Sequence, residues 1–226
     1  MLKKEIRDIL TASRDNGGVL EPEAKRLFSL VGLDVPRFTW VTAVEEAVRF
    51  AGKIGYPIVM KVVSPRIVHK SEGHGVAVGI GNDGEVGETF KRFSRMEGFA
   101  GVLVEEMITG LELMVGAKID YQFGPVVLLG IGGTGVEIYR DVSLRMAPLG
   151  QGDVESMVKN LKAERLLEGY RGSEPINLSE LTRLLVTFSG LVMELQRLID
   201  SIDLNPVICS SKRCVVADAR IMLKAS

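Results

Sequence analysis

Lys61 is the first residue of this sequence whose type and place ask for a chemical use. It interrupts PIVMKVV, residues 57–63, a run apolar on both faces that otherwise reads as a buried strand. An ammonium on a rigid strand can meet a phosphate as a point charge; the other reading is a lysine at a sheet edge reaching solvent. Eight residues on, HKSEGHGV (69–76) holds both histidines of the chain, His69 and His74, together with Gly73 and Gly75. Glycine backbones let N–H groups crowd phosphate oxygens, and an imidazole can attack phosphorus to give a phosphohistidine. A metal site is poorly supplied there, because Glu72 is the sole carboxylate beside the histidines. A purely structural or solvent-facing loop stays open as an alternative. Near the end, Asp203 and Asn205 share a strand face by period two, and Asp218 interrupts the apolar run VVADARI on what reads as the partner strand of a hairpin. Carboxylate and amide oxygens suit magnesium, which completes its shell with phosphate and water. Turn chemistry around Asn205 and Pro206 would explain Asn205 but not Asp218.

These residues need elements to position them. Residues 21–31 open with Glu-Pro, place Ala24, Leu27, Phe28 and Val31 on one stripe and stop at Gly32, which predicts a helix. VPRFTW (35–40) predicts a short strand, and Thr42 is expected to cap a helical pattern of Ala43, Ala47, Phe50 and Ile54 closed by Gly55. After the Lys61 strand, residues 75–80 predict another strand, Asn82-Asp83-Gly84 a turn, and 86–96 a helix. Strands follow at 101–107, 111–120 and 123–133, and 136–149 reads as mostly extended. Helices are expected near 153–167 and 179–197, then a closing hairpin of SIDLNPVICS and KRCVVADARIML. Strands joined partly by helices and partly by hairpins argue for α+β lobes over one doubly wound sheet. Glu105–Gly110 is the expected hinge between two lobes.

Composition narrows the function classes. Lys and Arg number 28 against 29 Asp and Glu, so no basic footprint for nucleic acid or an anionic membrane is present. No apolar run reaches the roughly 18 residues of a membrane span, and the opening MLKKEIRDIL lacks a signal-peptide core. A cytoplasmic protein is expected. Cys209 and Cys214 flank the SSKR turn and read as packing or as a labile cross-strand pair. GIGGTG (130–135) follows a strand but leads into no clear helix, which argues against a dinucleotide fingerprint, and no Walker A run occurs.

In chain order, the stretches EPEAKRLFSLVGLDVP, KIGYPIVMKVVSPRIVHKSEGHGV, GVLVEEMITGLELMVGAKIDYQFGPVVLLGIGG, VEIYRDVSLRMAPL, GYRG and IDLNPV with VVADARI resemble a known family. They are similar to the ATP-grasp nucleotide-binding subunits of NDP-forming acyl-CoA synthetases, of the ADP-forming acetate–CoA ligase type, with succinyl-CoA synthetase a more distant relative. The resemblance implies an ATP-grasp fold of α+β class, one domain over 1–226 with a small lobe at about 37–106 and a large lobe at about 1–36 plus 107–226. It implies ATP or ADP with Mg2+ in the cleft between lobes. Lys61 resembles the phosphate-contacting lysine, and Gly73 and Gly75 the phosphate-side glycines. Glu105, Glu106 and Met107 resemble the connection that holds adenine, and Glu112 the acid on the ribose. Arg145 falls with the nucleotide ligands, and Asn205, Asp218 and Asp203 with the magnesium ligands. His69 matches the histidine that carries phosphate.

The reaction implied is acyl-CoA plus ADP and phosphate giving acid, CoA and ATP. A separate α subunit would carry the CoA-binding and acyl-phosphate chemistry in an α2β2 assembly, without nucleic acid or membrane partners. The family pattern is His-Lys-Ser-Asp, one residue, then Gly-Gly; here Glu72 replaces Asp and His74 replaces the first of those glycines. An ATP-grasp ligase forming an acyl phosphate directly and a nucleotide-sensing module are the two rival readings.

Overall fold

The computed structural model describes residues 2–66, 74–133 and 141–224. Its elements are α1 (Lys4–Ala12), β1 (Gly18–Val19), α2 (Glu21–Leu30), β2 (Phe38–Val41), α3 (Val44–Ile54), β3 (Ile58–Val63), β4 (Val76–Ile80), α4 (Asp83–Phe93), β5 (Gly101–Glu106), β6 (Leu111–Asp120), β7 (Gly124–Ile131), β8 (Val142–Met146), α5 (Gln151–Lys159), α6 (Glu164–Leu167), α7 (Leu178–Leu195), β9 (Ile199–Cys209), β10 (Cys214–Val216) and β11 (Arg220–Leu223). They fall into two compact units. One is Leu20–Pro22 with Pro36–Ile108; the other takes Glu23–Val35 with the residues before Leu20 and after Ile108.

In the Pro36–Ile108 unit the strand order is β2-β5-β3-β4, all neighbours antiparallel. Both faces of β3 are buried, as its continuous apolar run predicted. Ile58, Met60 and Val62 of β3 and Val102 and Val104 of β5 cluster with Ala47 and Ala51 of α3 and Val86 and Phe93 of α4. The opposite face carries Val59, Lys61 and Val63 beside Leu103 and Glu105. Asn82, expected in a turn, caps α4: its side chain accepts from Glu85 N–H at 3.1 Å while Glu85 accepts from Gly81 N–H at 2.8 Å. This reciprocal pair satisfies backbone donors left open at a helix start.

In the other unit the order is β1-β11-β9-β6-β7-β8, with β10 also on β9. Leu113, Val115, Val127, Leu129, Ile202 and Leu204 point to a core shared with Met157 of α5 and Leu184, Leu185 and Phe188 of α7. Fully burying one such side chain stabilises by roughly 1.5–3 kcal/mol. The alternation along β9 and β6 leaves Asp203, Asn205 and Glu112 on the opposite, solvent-facing side. The sequence reading assigned nothing to the first dozen residues, yet α1 forms there and buries Ile6, Ile9 and Leu10 at helical spacing. The expected helix at 153–167 is two pieces, α5 and α6, broken at Asn160. Among the described residues no helix is long and apolar enough to cross a membrane.

Candidate functional site

Lys61 sits on a central strand and does not reach solvent: its side chain is 6% exposed. Its ammonium lies 2.8 Å from Glu21 Oε1 and 2.9 Å from Glu105 Oε1, and both carboxylates are buried as deeply. Glu105 reaches it diagonally across the sheet, because Lys61 pairs with Leu103 two residues earlier on β5. Glu21 arrives from outside the sheet, as the first residue of α2. There Pro22 suits the first helical turn, and the helix N-terminus favours a carboxylate. An ammonium out of water needs such partners. Lys25, one turn later on α2, is also fully buried. Glu21 and Lys25 were the residues missed from sequence; their signal was a Glu and a Lys at i and i+4 among the apolar stripe positions Ala24, Leu27 and Phe28.

The remaining expected adenine-side residues divide. Glu106 is tied to Arg37, accepting from Nε at 2.9 Å, while its own N–H donates to Arg37 O at 2.9 Å. Met107 follows the end of β5 and is half-buried. Gly75 is buried, and its carbonyl accepts from Val62 N–H at 2.8 Å, which places the start of β4 beside the Lys61 strand. His74 is exposed and holds φ at 54°, the left-handed conformation glycine would adopt more easily. His69 and Gly73 lie outside the described residues.

The magnesium candidates come together through the backbone. β10 and β11 both pair with the same edge of β9, and the bend between them carries Asp218. Pro206 O accepts from Ala217 N–H at 3.0 Å and Asp218 N–H at 3.3 Å, so the bend sits directly against the residue after Asn205. The single closing strand expected from KRCVVADARIML is thereby two strands around Asp218. Asp218 Oδ1 accepts from Ala219 N–H at 2.7 Å. Glu112 lies on the neighbouring strand β6, where its carbonyl accepts from Gly132 N–H at 2.7 Å. A Cβ at Gly132 would stand 2.9 Å from Glu112 backbone atoms, so the glycine permits this close approach. Arg145 is not on this side. It pairs across from buried Val127 and bonds Ser156 Oγ of α5 at 2.7 Å and its neighbour Leu144 O at 2.8 Å, on the helix-covered face.

Residues 11–223 match the family model described as "ATP-grasp domain". The chain belongs to the ATP-grasp family. It is 40% identical to the acetate–CoA ligase [ADP-forming] I subunit beta of Pyrococcus furiosus, over 97% of this chain and 98% of that one. It is 37% identical to the 4-hydroxybutyrate–CoA ligase [ADP-forming] of Nitrosopumilus maritimus over 98% of its length, which spans 33% of that protein. A solved structure of the dinucleotide forming acetyl-coenzyme A synthetase 1 of Ca. Korarchaeum cryptofilum matches with a TM-score of 0.84 at 40% identity, covering 97% of this chain and 100% of that one. That structure holds coenzyme A and Mg-AMPPCP, its phosphohistidine segment pointing towards the nucleotide binding site.

The fold is therefore the ATP-grasp fold, α+β with antiparallel sheets, as the motifs led us to expect. For an ATP-grasp chain the implied metal is magnesium, and the donor chemistry here fits it. Among the described residues no group of three or more His, Cys, Asp or Glu forms a metal cluster. Magnesium needs fewer: one or two carboxylates with phosphate and water suffice. Desolvation first, then the charge of Asp218, raises the Asp203 carboxyl above its ordinary range, while Arg220 opposes them. A carboxyl raised by the charge of a second acid beside it favours a divalent cation.

Proposed function

We propose that this chain is the nucleotide-binding subunit of an ADP-forming acyl-CoA synthetase, which converts acyl-CoA, ADP and phosphate to the acid, CoA and ATP. The observation that carries the reading is the match to an ADP-forming β subunit over nearly the whole of both chains. In this reading Lys61 neutralises phosphate charge, Glu112 accepts hydrogen bonds from the ribose hydroxyls, and Glu105 to Met107 contact the base. Asn205 and Asp218, with Asp203 beside them, would hold magnesium. When bound, the metal neutralises charge on the phosphates. His69 carries the phosphoryl group: its N–P bond breaks as a terminal oxygen of ADP attacks, and the imidazole leaves neutral. The protein's own work is to place and desolvate the reactants.

The remaining chemistry belongs to an α partner with the CoA-binding and acyl-phosphate sites, and an α2β2 assembly in the cytoplasm completes the reading. The small lobe is taken as 37–106 and the large lobe as the rest. Combining the purified chain with a candidate α subunit tests it by ATP formation from acyl-CoA, ADP and phosphate. Labelling with γ-phosphate-labelled ATP should then leave acid-labile phosphate on the chain, lost in His69→Asn. ATP-dependent acid activation with no acid-labile phosphate would instead identify a direct acyl-phosphate ligase.

A further inference from the structure

A lysine has four rotatable side-chain bonds, and a strand position by itself leaves the ammonium free to sample several directions. In this chain one direction is selected, because Glu21 and Glu105 grip the Lys61 ammonium at 2.8 and 2.9 Å in a buried setting. The two carboxylates do not contribute alike. Glu105 stands on the adjacent strand of the same sheet, two residues beyond the partner of Lys61. Glu21 comes from 40 residues away in sequence and stands outside the sheet, so it is the carboxylate that holds the ammonium from a second direction. Its backbone stands at the helix start, where the Pro22 ring restricts the conformation of the residue before it.

We propose that Glu21 is a positioning residue for nucleotide phosphate, acting through Lys61. Charge alone predicts the opposite sign: a buried carboxylate beside the cation repels a polyphosphate, so its loss should tighten binding. Positioning predicts that its loss weakens binding of phosphorylated ligands and leaves the nucleoside untouched. A glutamine at this position keeps an acceptor oxygen for the ammonium and should retain the function.

The inference rests on the nucleotide binding proposed above. The experiment is calorimetric titration of the full chain with Mg-ADP and with adenosine, for wild type, Glu21→Met, Glu21→Gln, Lys61→Met and the Glu21→Met/Lys61→Met pair. The expected result is a loss of about tenfold for ADP in Glu21→Met, the scale of a coupled contact. Adenosine affinity should be unchanged, Glu21→Gln should lie close to wild type, and the double variant should be no weaker than Lys61→Met. Tighter or unchanged ADP binding in Glu21→Met, an equal loss for adenosine, or penalties that multiply in the double variant would each overturn the proposal. If Glu21→Met does not fold, Glu21→Asp takes its place: retracting the carboxylate should weaken ADP and spare adenosine, and wild-type ADP affinity refutes the role. Wild type that binds neither ligand defeats the functional reading and this proposal together, whereas wild type that binds ADP beside an unaffected Glu21 variant defeats this proposal alone.

Discussion

Asp203 lies in register with Arg220 across β9 and β11, yet its carboxyl is held above the usual aspartate range, by desolvation first and by the charge of Asp218 second. A carboxyl raised in the folded chain favours folding while it is protonated, and that contribution is lost as pH climbs through its folded pKa. Asp203→Asn should therefore raise the melting temperature near neutral pH without metal, the gain shrinking to nothing as the pH falls below the normal carboxylate range. With magnesium added the order should reverse, wild type gaining more than the variant. A variant no more stable than wild type at neutral pH in chelator would show that Asp203 carries no such penalty.

Gly132 lets its loop press against the backbone of Glu112. Gly132→Ala must push that strand aside and strain the 2.7 Å bond from Gly132 N–H to Glu112 O. Overpacking of this kind costs about 1–3 kcal/mol. Urea unfolding should show that loss, and ADP affinity should fall as Glu112 shifts; a stable variant with wild-type affinity would rule out the coupling.

Arg145 bonds a helix, not the open sheet face. Arg145→Met should lower stability by about 1.5–3 kcal/mol, the range for charged hydrogen bonds, and leave ADP affinity unchanged. Weaker ADP binding without loss of stability would return Arg145 to the nucleotide.

His74 bears a left-handed backbone with an exposed side chain. A non-glycine residue in that conformation costs roughly 1–2 kcal/mol, partly offset by the greater unfolded-state freedom of glycine. His74→Gly should be neutral to slightly stabilising in thermal unfolding and should keep acid-labile phosphorylation. Loss of that phosphate would make the second imidazole part of the phosphoryl path.

Cys209 and Cys214 face one another in register across β9 and β10 as buried free thiols. A hydrogen bond from Cys214, then burial, pushes the Cys209 thiol up, so little thiolate forms. A thiol reagent should leave both unlabelled in the native protein and modify both as it unfolds in urea. Fast native labelling would contradict the packing role.

Much of the candidate site could be read from the residues alone. Lys61 stood out because it interrupts a run apolar on both faces, where the ordinary alternative was a sheet-edge lysine reaching solvent. Asp203 and Asn205 followed from strand alternation and Glu112 from the family resemblance alone, and β6 and β9 put all three on a solvent-facing side. Helix starts such as α2, with Pro22 in its first turn, also rest on local chemistry.

The sequence by itself determined most of the strands and helices, the apolar face of strands such as β6 and β9, and the family that those motifs in order belong to, but not α1, the break at Asn160 or the split of the closing strand at Asp218. Tertiary structure decided the partners. Glu21 meets Lys61 across 40 residues, and Asp218 reaches Asn205 only because one edge of β9 accepts two short strands with a bend held on Pro206. Arg145 turned to the helix-covered face through its pairing with Val127. Local propensity acts over a few residues, whereas pairing register is set by burial summed over the whole sheet. A slip of one residue would reverse every face.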